Sequence, residues 1–333
     1  MSLMVAVSAC FMALSFALLT TLALRHAVLG RRDQHTADAE RRMRPLAIGL
    51  MEDGDPVPDL SQADQRALAT VMGRYSRKVS GGTSERIGGY FREGGGLAAE
   101  LEGMRSRRAW RRAAAAYALG DMACPEVVPM LAAALEDRND EVRAAAVRSL
   151  GRLRDPTVTE TLVESLVAHR VPRGMAGAAL LQLGSDAVPE LRRIAAHEDA
   201  AVRQVAMTVL GLVGDSGDAD VALVALRDPA ADVRAAAARA LARIGTGSAE
   251  PALREALGDP EHFVRAHAAR ALGAIGAYTA VPRLVEIART DRFKPARAAA
   301  QAVAAIDPET LVAEAAGPDA GAHLHEAADL ALI

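Results

Sequence analysis

Histidines and cysteines, the side chains that most often ligate a transition metal, are few in this 333-residue chain and form no shared motif. His197 with Glu198 and His325 with Glu326 are its only His-Glu pairs. Such adjacency can serve a carboxylate-bridged metal pair, but these two pairs do not occupy equivalent places along the chain. His262 and His267 stand five residues apart, roughly 140° around a helix, so they do not share a face for chelation. No Gly-rich phosphate loop, nucleophile elbow or HExxH motif occurs. Cys10 and Cys124 are too few and too distant for a disulfide framework or a thiolate metal site. Neither catalysis nor a metal or cofactor is expected. What does recur is an arginine, at positions 112, 143, 173, 203, 234, 265 and 297, with spacings of 31, 30, 30, 31, 31 and 32 residues.

The residues around that arginine define the element that carries it. Each copy reads Val-Arg, several small residues, Ala-Leu, then a Gly or Ala and an apolar residue, as in Val142–Leu153, Val202–Val213, Val233–Ile244 and Val264–Ile275. Degenerate copies begin at Arg111, Pro172 and Ala296. In one copy Val233, Ala237, Leu241 and Ile244 fall at i, i+4, i+8 and i+11, one apolar face of a helix. A glycine such as Gly245 or Gly276 supplies a left-handed stop. A shorter second helix follows, with proline in its first turn in Val188-Pro189 and Val281-Pro282. A period near 31 residues fits a two-helix unit with tight turns, and stacked units make an all-α superhelix, a solenoid. The arginines, near acidic turn residues such as Asp140, Asp199 and Asp232, are read as an inter-repeat salt-bridge ladder.

Composition agrees with helices packed through small side chains: 51% of residues are apolar and only 3% aromatic. A net charge of −3 argues against a chain built to coat nucleic acid.

The repeated block, over roughly Arg105–Ala315, resembles the short bacterial HEAT repeats of the phycobilisome-lyase type. The stretch Leu60–Gly120 resembles the front end of membrane-anchored HEAT-repeat proteins often encoded beside processive family-2 glycosyltransferases, which implies a partner in polysaccharide synthesis. Metal oxygenases of the deoxyhypusine hydroxylase kind use His-Glu pairs at matching positions in four repeats, a pattern this chain lacks. A phycobilin-lyase-like enzyme is the alternative reading, followed by a nucleic-acid-binding HEAT protein.

Before the array, Leu3–Leu24 is an uncharged run of 22 residues, long enough at about 1.5 Å per residue to cross a hydrocarbon core of roughly 30 Å. It is expected to be an uncleaved transmembrane helix. Arg25, Arg31, Arg32, Arg41, Arg42 and Arg44 follow it, which by the positive-inside rule puts the amino terminus out and the array in the cytoplasm at the inner membrane. The same flank is a candidate contact for anionic lipid. The expected organisation is an anchor and basic flank (1–32), a helical linker or cap (33–104), the HEAT array (105–315) and a C-terminal cap (316–333). Within the linker, Ser61 is a plausible N-cap, and helices are expected over Gln62–Val79 and Glu85–Arg92.

The expected function is a non-catalytic, membrane-tethered scaffold. Its partner would be an integral membrane protein such as a glycosyltransferase, and no nucleic acid is expected. The candidate partner-binding residues are the arginine cluster around the only tryptophan, Arg107, Arg108 and Trp110, and a row on the second helices. That row comprises Met130, Glu164, Glu190, Arg193, Arg254, Arg283, Glu286 and Arg289.

Overall fold

The computed structural model describes residues 34–331 apart from 35, 55, 56 and 80, and every regular element in it is helical. Two compact units are distinguished, one comprising the described residues up to Glu102 with Asp121–Cys124, the other Gly103–Gly120 with Pro125 onward.

In the first unit, α1 (residues 36–52) runs where the sequence shows mainly arginines. Ala39, Ala47, Leu50 and Met51 nonetheless form a buried stripe along it. Helix α2 (Gln62–Ser76) starts at Ser61, whose side chain accepts from the Asp64 N–H. Helix α3 (Gly82–Glu93) contributes Ile87 and Phe91 to the core. Arg42 pairs with Asp64 at 2.9 Å and Arg74 with Glu40 at 2.8 Å. Part of the arginine flank read as lipid-binding is thus engaged within the protein, while Arg25, Arg31 and Arg32 lie outside the described residues. The chain then enters α4 (Gly96–Met104).

The second unit is a stack of helix pairs. Its first helices are α5 (Ala109–Leu119), α7 (Asp140–Leu153), α9 (Arg173–Leu183), α11 (Ala200–Val213), α13 (Ala231–Ile244), α15 (His262–Ile275) and α17 (Phe293–Ile306). The second helices are shorter: α6 (Val128–Ala133), α8 (Thr159–Val167), α10 (Val188–Ile194), α12 (Ala219–Ala225), α14 (Glu250–Ala256), α16 (Val281–Thr290) and α18 (Pro308–Ala315). A final helix, α19 (Gly321–Ala331), follows, with Leu324 buried and the His323 ring edge-on to Phe293 at 4.8 Å.

Alanine sets the packing distance between successive first helices. In α13, Ala235, Ala236, Ala237, Ala238 and Ala240 are all buried, so the helix packs on both sides through methyl groups. Helix α11 approaches α13 closely at Gly211, where a Cβ would lie 2.6 Å from the Ala240 Cα. Helix α13 ends at Gly245 with φ +72°, the left-handed conformation that glycine adopts without strain.

The expected transmembrane helix over Leu3–Leu24 lies outside the described residues. Among the described residues no helix is long and apolar enough to cross a membrane. Helix α2, at 15 residues, rises about 22 Å against a hydrocarbon core of roughly 30 Å, and α1 carries Arg41, Arg42 and Arg44. The fold is therefore corrected to an all-α solenoid with no membrane-spanning helix among its described residues. The single-pass inner-membrane localisation with a cytoplasmic array falls with that correction.

Candidate interaction face

The repeated arginine is a register device, and its partner is not the nearby acid. Arg234, in the first turn of α13, donates from Nε and Nη2 to both oxygens of Asp259 at 2.6 and 2.9 Å. Its Nη1 donates to the Asp228 and Pro229 carbonyls at 2.9 and 3.1 Å. One guanidinium thus ties the turn before its own helix to the turn that ends its repeat. Arg112 with Asp137, Arg203 with Asp228 and Arg265 with Asp291 repeat the two-pronged contact, with Nε–O distances of 2.7, 2.6 and 2.6 Å. The partners therefore stand 25 or 26 residues downstream, rather than at Asp199 or Asp232 as the sequence suggested. Arg143 does reach Asp140, at 2.6 Å. The position 25 residues beyond Arg143 is Ala168, and its Nε donates instead to the Arg170 carbonyl. Arg173 is exposed and takes no acid partner, so the ladder is interrupted at α9.

Protonation favours the ladder. The Arg112 hydrogen bonds hold Asp137 below the usual carboxylate range, and Arg265 does the same for Asp291. At Asp228 and Asp259 burial pushes the carboxyl up. The arginine, a backbone N–H and the surrounding charge outweigh it, and the net displacement is downward.

The second-helix residues proposed from sequence are exposed for the most part, but they face one another. Glu190 pairs with Arg193 at 2.7 Å, Arg283 with Glu286, and Arg289 with Glu314. Arg254 donates to the Thr279 hydroxyl at 3.3 Å. Glu164 is exposed and Met130 half-buried. Trp110, at the start of α5, is 62% exposed, so the arginine stems around it do not cover the ring, and Arg107 and Arg108 point to solvent as well.

A different strip emerges on the first helices, at the fifth and ninth residues after each ladder arginine. From α7 to α15 it runs Arg148 and Arg152, Ala178 and Gln182, Thr208 and Leu212, Arg239 and Arg243, then Arg270 and Ala274. All are exposed or half-exposed, and the strip holds five arginines and no carboxylate. At one end Arg152 lies over the Tyr117 ring with its guanidinium carbon 4.4 Å from the centroid, while Arg148 approaches the same ring at 5.8 Å. Towards the other end Arg239 lies 3.4 Å from the His267 Nε2.

Between these ends the stack opens. Leu181 of α9 occupies the place that Gly211 holds in α11, so α9 and α11 do not approach as α11 and α13 do. A cleft of about 400 Å³ results, lined by Gly177, Leu181, Val205, Val209 and Leu212 among others. The strip escaped sequence reasoning, which assigned recognition to the second helices. A signal was present: within a repeat of near-constant residues, the fifth position changes from Tyr117 through Arg148, Ala178 and Thr208 to Arg239.

His267 gives this region a pH signature. Burial first, then Arg239 and Arg270, push its imidazole from 6.5 down to about 4. A histidine whose folded value lies below its unfolded one is neutral in the fold. Its contribution is whole above about pH 6.5 and is lost as pH falls toward 4. The ladder aspartates keep theirs until the ordinary carboxylate range is reached, near pH 4. The urea midpoint should therefore decline between pH 7 and 5, and His267→Gln should flatten that interval. An unchanged decline would assign it to other groups.

Among the described residues no group of three or more His, Cys, Asp or Glu side chains is placed to hold a metal ion.

No curated protein matches the sequence. Among solved structures, the chain is similar to the karyopherin Kap121p bound to the extreme C-terminus of the protein phosphatase Cdc14p. The TM-score is 0.53 at 13% identity, over 82% of this chain and 38% of that one. It is also similar to Kap95p in the structure in which Kap95p binding induces the switch loops of RanGDP to adopt the GTP-bound conformation. There the TM-score is 0.51 at 14% identity, over 87% of this chain and 51% of that one. The chain thus spans about half or less of the length of these karyopherins, and the likeness is one of fold. The CpcE–CpcF complex of phycocyanin lyase from Nostoc matches at 21% identity over 76% of this chain and 96% of that one, with a TM-score of 0.31, too low to carry an argument. The family model described as HEAT repeats matches residues 97–183 and 219–305, together more than half of the chain. With paired helices recurring at a near-constant period, the chain belongs to the HEAT-repeat family.

Proposed function

We propose that the array is a non-catalytic scaffold that docks a protein partner along the exposed strip of its first helices, as an accessory or regulatory subunit of an enzyme. HEAT repeats support a protein-interaction role, and the two karyopherins of like fold each bind a protein. The observation that carries the choice of face is the contrast in pairing. Several second-helix charges neutralise one another, as Arg283 does Glu286, whereas among the described residues Arg148, Arg243 and Arg270 have no acid partner. The resemblance of Leu60–Gly120 to proteins encoded beside family-2 glycosyltransferases makes a polysaccharide-synthesising glycosyltransferase the first partner to test.

The test is capture with the tagged full chain after brief crosslinking in the native host, with partners identified by mass spectrometry. A glycosyltransferase should be recovered, and Arg148→Glu with Arg243→Glu should reduce recovery by about tenfold. Arg193→Glu with Arg283→Glu should leave it unchanged. Loss only with the second-helix pair would move the docking face and end this reading.

A further inference from the structure

Resting on that reading, we infer that the strip recognises an acidic protein segment: Arg239, Arg243 and Arg270 form a subsite for carboxylates, the α9–α11 cleft takes the segment's apolar side chains, and Arg148 takes a second acidic end. The proposal begins from an imbalance of charge. Arg239 of α13 and Arg270 of α15 flank the half-buried His267, Arg243 stands close enough to be felt by Arg239, and no strip position carries a carboxylate. Burial and then the neighbouring Arg243 push the Arg239 guanidinium below its usual range, and Asp232 on the same helix offsets them only in part. Like charges gathered at a partly desolvated place are unfavourable unless an anion completes them. Elsewhere in the array the contrast is plain, since Arg203, Arg234 and Arg265 each hold a carboxylate of the same chain.

The spacing selects the class of anion. Helices α7 and α13 are three steps apart in the stack, on the order of 30 Å at the usual interhelical distance. An extended peptide of about nine residues spans that interval. Between the two cationic ends the surface is mainly apolar, with Leu181 39% and Leu212 46% exposed beside the cleft and Arg173 at its edge. A nucleic-acid backbone carries charge at every step and would meet a single cation, Arg173, across this middle. The strip's aromatic, Tyr117, has one face taken by Arg152, and no second ring lies along the strip to continue a base stack. Acidic ends around an apolar centre match the order cation, cleft, cation.

The experiment is fluorescence anisotropy of the full chain with a labelled synthetic peptide of about twelve residues, with glutamates at both ends and leucines in the middle. Three control probes are the same peptide with glutamine for glutamate, the same peptide with alanine for leucine, and single-stranded oligothymidylate. The acidic peptide should bind, and both substituted peptides should bind at least about tenfold more weakly. Arg243→Gln with Arg270→Gln, both at exposed positions, should weaken the acidic peptide about tenfold or more, whereas Arg193→Gln with Arg283→Gln should not. Circular dichroism confirms that each variant remains helical. The inference is overturned by binding that ignores the Arg243 and Arg270 changes, by equal binding of the glutamine peptide, or by oligothymidylate binding tighter than the peptide with the same arginine dependence. Its failure is separable from that of the scaffold reading. Partner capture that depends on Arg148 and Arg243 but is not competed by the acidic peptide keeps the scaffold and removes this inference. Peptide binding without any captured partner does the opposite.

Discussion

Replacing Asp259 by alanine is expected to lower the urea midpoint of the full chain by roughly 1 M, equivalent to about 2–3 kcal/mol. The substitution removes more than a contact. Arg234 would keep its place at the start of α13, held by the Asp228 and Pro229 carbonyls, but its two-pronged acceptor would be gone. Both groups are mostly shielded, with 14% and 8% of their side-chain surface exposed, so water replaces the lost partner poorly. The same carboxylate also accepts from the Glu261 N–H at 2.9 Å and so shapes the turn into α15. Asp259→Asn, which retains an acceptor oxygen for that N–H, should cost about half as much. Arg283→Ala is the control, because its pair with Glu286 is exposed and surface pairs are worth little, about 0.5 kcal/mol. The midpoint is the quantity to compare, since stacked repeats need not unfold as one unit. Equal effects of Asp259→Ala and Arg283→Ala would show that the ladder does not hold the stack.

Two glycines should respond to the same substitution with opposite sign. Gly211→Ala puts a methyl group 2.6 Å from the Ala240 Cα and 2.7 Å from its Cβ, and backbone on both sides must move. A loss of about 2–3 kcal/mol is expected, at the upper end for an overpacked core. Gly177→Ala adds the same group in the wider α9–α11 cleft, where its nearest neighbours are the Val205 Cγ1 at 3.4 Å and the Val209 Cγ2 at 3.7 Å. Those are ordinary contacts, so the helix-propensity gain of about 1 kcal/mol should appear as added stability. Thermal denaturation of both variants beside the parent chain decides it. If both destabilise, the cleft is tighter than its lining suggests; if neither does, the α11–α13 contact yields more readily than close packing implies.

The helices of the array were legible because their pattern repeats. The copy Val233–Ile244 differs from α13 by two residues at its start, and Gly245 stops the helix as its type predicts. The ladder's partners were not legible. Asp232 is adjacent in sequence but lies on the exposed first turn of α13, whereas Asp259 is brought to Arg234 only when α14 doubles back. Helix α1 was hidden for another reason. Its arginines dominate the reading as a flank, while the stripe of Ala39, Ala47, Leu50 and Met51 is short and weakly apolar. The cationic strip was missed because each helix offers only one or two of its members among many alanines. The face exists only after stacking.

The ladder also bears on how such a chain can change its length. Asp228-Pro229 and Asp259-Pro260 are the same dipeptide at the same place in successive turns, and Arg234 and Arg265 donate to their carbonyls in the same way. Excising residues 231–261 would bring Arg265 onto Asp228-Pro229 with its own acceptor, Asp291, still downstream. Arg203 would keep Asp228. No rung of the ladder is orphaned by the cut, so whole units can be lost or duplicated by recombination without repair to the ladder at the seam, whereas a cut that is not a whole number of units puts its rungs out of register. At the end of the series Arg297 meets Glu326 of α19 at 3.3 Å, a looser and more exposed pair. The array is thus a polymer with a defined monomer and a terminator, and its copy number is open to selection independently of its fold.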